Sequence, residues 1–399
     1  MPARPTLAPA PTAPAGAAGA AGAAAAVLPS LTGLRWVTAM LIFGDHVMAV
    51  QYFAGGSAEL WATFFAPGSA GVAMFFVLSG FVLTWSHKPG QRPGDFWMRR
   101  VARVYPTHLV GVALAVVVGA TLVPVIATTA VAPFVADIAL VSAWNPAWWQ
   151  AGNPVSWSLV CEAFFYLCFP LLIRVLYRVS VTALVVTVAL CSVVTAIAPW
   201  IAGAAPDALA SYSSPILRLP EFVVGICAAL LLRSGAWRPP RPMTAVAFAV
   251  AGYLASAAPA LPATEVSPGP AFAVLAFTLL IASLAESDRR GLPTGLTTPL
   301  WQTFGRASFA FYVVHLLVIG ALAAPWPDGH PLLPWPQGAL LTTLALAVAV
   351  ALALLIHRGV ELPMQRAILH SYRAKARRSG RPDDAGRRVA ASAGERVAG

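Results

Sequence analysis

The chain has 399 residues, of which 58% are hydrophobic and only 10% charged. Soluble domains carry about 25% charged residues, so a single soluble domain is excluded and an integral membrane protein is the class that fits. The net charge of +11 would suit a nucleic-acid binder, but the basic residues lie between or beyond apolar runs and not along one face, the positive-inside pattern of a membrane protein with no nucleic-acid partner.

Residues 1–26 are rich in Pro, Ala and Gly with Arg4 as their sole charge. They read as a disordered tail, with a cleaved leader as the alternative. Residues 27–365 read as one membrane domain. Within it ten apolar stretches are long enough to span: 33–54, 69–86, 104–126, 156–176, 180–201, 214–232, 243–261, 270–285, 302–324 and 338–357. The expectation is therefore an all-α integral membrane bundle of about ten transmembrane helices with both termini cytoplasmic. That orientation puts the clusters Arg99/Arg100/Arg103, Arg174/Arg178, Arg233/Arg238/Arg241 and Arg289/Arg290/Arg306 inside, and leaves Arg218 alone near the outer face. An eleventh run, 129–143, contains Pro133 and Asp137. Counting it as a span would invert every later cluster, so it reads as interfacial or re-entrant, with Trp144, Trp148, Trp149 and Trp157 forming an outer aromatic belt. Residues 366–399 are Arg-rich without an apolar period and read as a solvated basic cytoplasmic tail. The four cysteines fall inside apolar runs without metal-ligand spacing and read as small buried residues, so no metal is expected.

Ionisable side chains inside spans cost about 2.5–3.5 kcal/mol each on insertion scales and usually face a cavity. This chain has Arg35, Asp45 and His46 in the first span, Glu162 in the fourth, Arg218 and Glu221 in the sixth, His315 in the ninth and Glu361 after the tenth. Each is either functional or part of an ion pair that locks the bundle. Arg35 and His46, eleven residues apart, share a helix face about 16 Å apart along the axis, as two levels of one tunnel would require. Asp45 points about 100° away from His46, so the two are not a ready-made dyad. Histidine titrates near neutrality and suits removal of a proton from a hydroxyl. Arg99, Arg100 and Arg103 stand at the membrane entrance. They either anchor the inner face or hold the phosphates of a cytosolic donor.

Seven elements in order resemble the acyltransferase 3 family of multi-span membrane O-acyltransferases. They are Leu31-Thr32-Gly33-Leu34-Arg35 with His46; Gly71 to Phe81; Arg99/Arg100/Arg103 with Pro106; and Asn153 to Leu159 leading to Glu162 and Tyr166. Arg218-Leu219-Pro220-Glu221-Phe222 with Gly225, Gly305 to Phe309 with Tyr312 and His315, and Glu361-Leu362-Pro363 complete the series. Thr32, Trp36 and Ala73 depart from the family's pattern. The resemblance implies an acyltransferase, transferring groups other than amino-acyl groups, in the cell (inner or plasma) membrane. Its donor would be acyl-CoA, commonly acetyl-CoA, with no permanently bound cofactor. Its acceptor would be a hydroxyl of a carbohydrate, a cell-envelope polymer or a secondary metabolite.

In that reading His46 is the general base, Arg35 steadies the donor or the oxyanion, and Glu162 orients the acceptor. His315 or Glu162 is the next choice of base, and an acyl-His intermediate remains a variant. Arg99, Arg100 and Arg103 bind the donor, while Trp157, Ser158, Tyr166, Arg218, Glu221, Tyr312 and His315 are acceptor-site candidates. No esterase-like domain follows the last span, so transfer is expected to finish within the membrane domain or pass to a separate protein. A multi-span secondary transporter is the alternative from another class, although no duplicated pair of broken helices is evident.

Overall fold

The computed structural model describes residues 27–88, 90–257 and 268–378. The readings made for 1–26 and for 379–399 lie outside the described residues. Among those described, the protein is helical, with a single isolated β-bridge between Phe53 and Leu333. The helices are α1 (Pro29–Ala49), α2 (Gly55–Phe65), α3 (Ala70–Ser86), α4 (Pro93–Thr121), α5 (Val131–Ile138), α6 (Trp157–Leu176), α7 (Val181–Gly203), α8 (Pro215–Arg233), α9 (Pro242–Ala255), α10 (Pro268–Arg289), α11 (Pro299–Ala323), α12 (Trp335–Ile356) and α13 (Leu362–Arg378). Proline recurs at their first turns, where its missing N–H costs nothing.

Eight helical segments are long and apolar enough to cross a membrane. Each of the ten apolar stretches overlaps a helix among the described residues. Two of these fall outside the eight: α1, 21 residues long but carrying Arg35, Asp45 and His46, and α9, only 14 residues long. Apolar side chains face outward on α7 (Val185, Val186, Leu190, Val193) and α12 (Leu340, Leu344, Leu355), while Thr38, His108, Glu221, Ser308 and His315 face inward. This polarity suits a lipid surround, where unpaired polar groups are costly and charged ones turn to the interior. The protein is a multi-pass membrane protein.

Close backbone approach sets the framework. α3 packs most extensively on α8. A side chain on Gly80 would strike the Phe222 carbonyl, and one on Gly225 would strike the Val77 carbonyl. Small residues at crossings let membrane helices come near enough to gain dispersion contacts, which replace the hydrophobic effect that is missing in lipid. Gly305 does the same on α11, against Thr32 of α1. The start of α1 is tied to the α10–α11 region. Asp288 accepts from the Ser30 N–H at 2.9 Å and from its hydroxyl at 2.5 Å, and Gln302 donates to the Pro29 carbonyl at 2.8 Å. A carboxylate at a helix N-terminus satisfies the orphan donors there and complements the helix dipole.

The 129–143 run contains one eight-residue helix, α5, and a 3-10 turn. It is too short to cross a bilayer. It folds against α4 instead: Tyr105 donates to the Ile138 carbonyl at 2.9 Å and His108 Nε2 to the Asp137 carbonyl at 3.0 Å, while the following Asn153 donates to the Val313 carbonyl of α11 at 2.8 Å. Asp137 is buried at its centre, and burial pushes its carboxyl up to about 7 against the Asn153 N–H and Ser156 hydroxyl that hold it down.

At the other end, α12 continues through a π-helical turn, His357–Glu361, into α13. Residues 366–378 are thus helical, where the sequence read as a solvated tail. α13 lies along α4, and Tyr372 donates to Asp95 at 2.8 Å. The missed signal was an apolar pair, Ile368 and Leu369, too small to stand out in a charge-rich stretch.

Candidate active site

Helices α1 and α11 bring two histidines together. His46 Nδ1 and His315 Nε2 are 2.7 Å apart, and His315 Nδ1 is 2.7 Å from the Tyr312 carbonyl. A carbonyl only accepts, so His315 carries its proton on Nδ1. Its Nε2 is then an acceptor in the neutral ring, and His46 must donate from Nδ1. With both rings neutral, the lone pair of His46 is left on Nε2. Packing fixes this orientation: the Phe311 ring lies 5.5 Å from His315 and nearly parallel at 13°, while Trp36 and Phe43 contact Phe311.

The side chain of the same Tyr312 reaches toward α6. Tyr312 donates to the Val155 carbonyl at 3.3 Å, and Ser158 donates to the Tyr312 hydroxyl at 2.7 Å. Four predicted site residues therefore meet at Tyr312: its backbone carbonyl bonds the His315 of the histidine pair, and its hydroxyl bonds Ser158. Sequence reasoning grouped His315 with the acceptor candidates. Its place behind His46 rests on a 2.7 Å contact across 269 residues that no local pattern could disclose. Asp45, next to His46, accepts from the Ser69 N–H at the start of α3.

A second group gathers nearer the start of α1. Arg35 lies within electrostatic reach of Arg103, Glu162, Tyr166 and Glu361. Its Nε is sealed from solvent without a hydrogen-bond partner among the described residues, as is that of Arg100. Arg100 rests over the Phe96 ring at 5.7 Å and the Tyr166 ring at 6.0 Å. The structure thus puts Glu162 and Tyr166 beside the arginines, one level away from Ser158 and the histidines. Glu361 is buried and accepts from His357 at 2.9 Å. Unpaired guanidinium N–H groups beside other arginines offer a ready place for oxyanions.

Arg218 and Glu221 pair with each other at 3.0 Å. Arg218 also lies 5.4 Å from the Phe76 ring and 6.0 Å from that of Tyr212. Trp157 is buried in an aromatic cluster with Trp149 and Tyr212, with ring centroids 4.6–6.2 Å apart. These residues wall the Ser158 end of the site. Arg99 stands on the same helix as Arg100 and Arg103, and Arg99 and Arg103 both act on Arg100 electrostatically.

Comparison with known proteins shows which family the chain is similar to. The Acyltransferase domain family matches residues 28–354. The chain is 37% identical over 374 residues to an acyltransferase, MdmB, of Streptomyces mycarofaciens, covering 85% of this chain and 92% of that protein. It is 27% identical over 167 residues to the peptidoglycan O-acetyltransferase OatA of Listeria monocytogenes, covering 38% of this chain and 25% of OatA. No solved structure matches the chain.

Proposed function

The chain belongs to the Acyltransferase domain family and is an enzyme that transfers acyl groups, and from that premise we propose that it moves an acetyl or similar acyl group from acyl-CoA to a hydroxyl of a carbohydrate, cell-envelope polymer or secondary metabolite. The observation that carries this reading is the His46–His315 pair, whose bonding leaves an imidazole Nε2 lone pair free.

In the proposed reaction His46 Nε2 takes the proton of the acceptor hydroxyl as its oxygen attacks the thioester carbonyl. The carbonyl oxygen becomes an oxyanion, which Arg35 steadies. The carbon–sulfur bond then breaks, the ester forms, and coenzyme A leaves as a thiolate that recovers the proton from His46. His315 holds the His46 ring and stabilises the imidazolium through the relay to the Tyr312 carbonyl. Arg99, Arg100 and Arg103 hold donor phosphates at the inner entrance, and Glu162 tempers the charge among them.

The reading has ten spans, both ends cytoplasmic, and a place in the cell membrane. The positive-inside distribution of the arginines supports that orientation. An exporter would share such a bundle, but family membership favours acyl transfer. The test is transfer from radiolabelled acetyl-CoA to a panel of sugars, glycan fragments and polyol metabolites by the purified protein in lipid nanodiscs. Acyl transfer to a hydroxyl that depends on His46 supports the reading. Transfer from another donor but never from acyl-CoA removes it.

A further inference from the structure

The turn that leads into α6 grips α11 at two points beside the Tyr312 carbonyl, the group that orients His315. The Asn153 side-chain amide donates to the Val313 carbonyl at 2.8 Å, and the Val155 carbonyl accepts from the Tyr312 hydroxyl at 3.3 Å. The other end of the Asn153 amide fixes which way it faces. Its oxygen accepts from the Val155 N–H at 3.5 Å, capping the 3-10 turn Pro154–Ser156, so its NH2 group must point at Val313. Helix α4 makes room for this contact at Gly111, where a side chain would meet both the Asn153 amide and Val313.

Asp137 holds the turn from the other side. Its carboxylate accepts from the Asn153 N–H at 3.3 Å, and a side chain on Gly152 would strike it. Gly152 also has a φ of 70°, so the approach is doubly reserved for glycine. The Gly152 N–H is satisfied by the Thr128 hydroxyl at 2.7 Å. Asp137 is buried and its backbone is pinned: its carbonyl accepts from His108 Nε2 at 3.0 Å and from the Leu140 N–H at 2.9 Å. Burying a carboxyl is costly unless its bonds organise something an apolar side chain could not.

We propose that Asp137 and Asn153 are positioning residues for acyl transfer. Asp137 sets the turn, and Asn153 passes that setting to the Val313 carbonyl, next to the carbonyl that bonds His315. The result is that His315 Nε2 stays in line with His46 Nδ1. A bond of 2.7 Å tolerates little error, and a shift of about 1 Å takes it out of hydrogen-bonding range. The positioning stands on these hydrogen bonds alone; its effect on rate rests on the acyl-transfer reading.

The test uses the full chain in lipid nanodiscs with two readouts. In histidine-labelled protein, ¹⁵N NMR reads the scalar coupling across the bond between His46 and His315, and kinetics with acetyl-CoA separate kcat from KM. Asn153→Ala is expected to lose the coupling and to lower kcat by about tenfold to a hundredfold, the cost of a small misplacement. KM for acetyl-CoA moves less than about twofold. Asn153→Ser keeps a cap for the turn but cannot reach Val313, so it behaves alike and serves where the alanine variant does not fold. Asp137→Ala follows the same pattern, while Asp137→Asn, whose amide oxygen still accepts from the Asn153 N–H, keeps the coupling and most of the rate. In a His315→Ala background, Asn153→Ala costs less than about a further twofold, because residues acting through one another are not additive. An intact coupling in both Asn153 variants overturns the proposal. So does an undiminished loss from Asn153→Ala in the His315→Ala background, or an Asp137→Asn protein as slow as Asp137→Ala. Coupling lost with Asn153 in a protein that acylates no hydroxyl keeps the positioning and removes the acyl-transfer reading. Acyl transfer that needs His46 but is indifferent to Asn153 removes the positioning and keeps that reading.

Discussion

At the scale of single residues, the relay from the Tyr312 carbonyl through His315 to His46 separates two roles that composition could not. His46→Ala removes the base, and the expected loss is about 100- to 10,000-fold in rate, with acetyl-CoA binding retained. His315→Ala leaves the base but frees its ring, so kcat falls less than in His46→Ala while KM for acetyl-CoA stays level. A His46→Ala protein that is folded and keeps more than about a tenth of wild-type activity makes His46 structural and moves the mechanism to another base. On the donor side, Arg103→Ala is expected to weaken acetyl-CoA binding by about 1.5–3 kcal/mol, the value of a hydrogen bond to a charged group. Calorimetry in detergent measures this directly, and unchanged affinity returns Arg103 to the anchoring role. His46 and the arginines were legible because ionisable residues stand out in apolar spans. The pairing of His46 with His315, and the neighbourhood of Glu162 with Arg35, were not legible, because each joins residues far apart in the chain.

At the scale of elements, the helical class and the eight long apolar segments were legible from apolar runs punctuated by Pro and Arg. The short pieces between them were not. The 129–143 run reads as interfacial or re-entrant because counting it as a span would invert every later basic cluster; that its helix α5 is pinned to α4 by Tyr105 and His108 was not legible. Asp137 gives this element a measurable signature. Its folded carboxyl titrates near 7, whereas an unfolded Asp titrates near 3.9. Between those values the folded state binds the extra proton, so the contribution to stability is fully present below about pH 4 and lost as pH rises through about 7. Melting temperature in detergent is therefore expected to fall from pH 5 to pH 8, and Asp137→Asn to flatten that slope. An identical slope in the variant would assign it to other groups.

For the whole molecule, two observations fit one orientation: arginines crowd one end of the bundle, and the 129–143 segment is too short to cross. Reporter fusions after Arg241 and after Arg378 are both expected to read cytoplasmic; an external reading at either site overturns the ten-span arrangement. Overall architecture was legible because lipid allows few solutions to backbone hydrogen bonding. Which helices touch was not, since α3 meets α8 through Gly80 and Gly225, residues whose part is to be small.

The π-helical turn at 357–361 makes the end of the chain sensitive to counting. There the Leu362 N–H reaches back five residues to the His357 carbonyl, one more than in an α-helix. The turn therefore absorbs one surplus residue, worth about 100° of rotation. Deleting Gly359 would let α12 and α13 fuse into one regular helix with every backbone bond made and no apolar surface lost. Because the turn already takes up the surplus, this deletion keeps Tyr372 facing Asp95, whereas deleting a second residue there would rotate α13 by about 100° and carry Tyr372 away from Asp95. The protein lacking Gly359 is therefore expected to keep both its melting temperature and its acetyl-CoA binding, while a protein lacking Gly359 and Val360 together binds acetyl-CoA poorly. Here the length of a segment, more than the identity of any residue in it, carries the geometry of the arginine entrance.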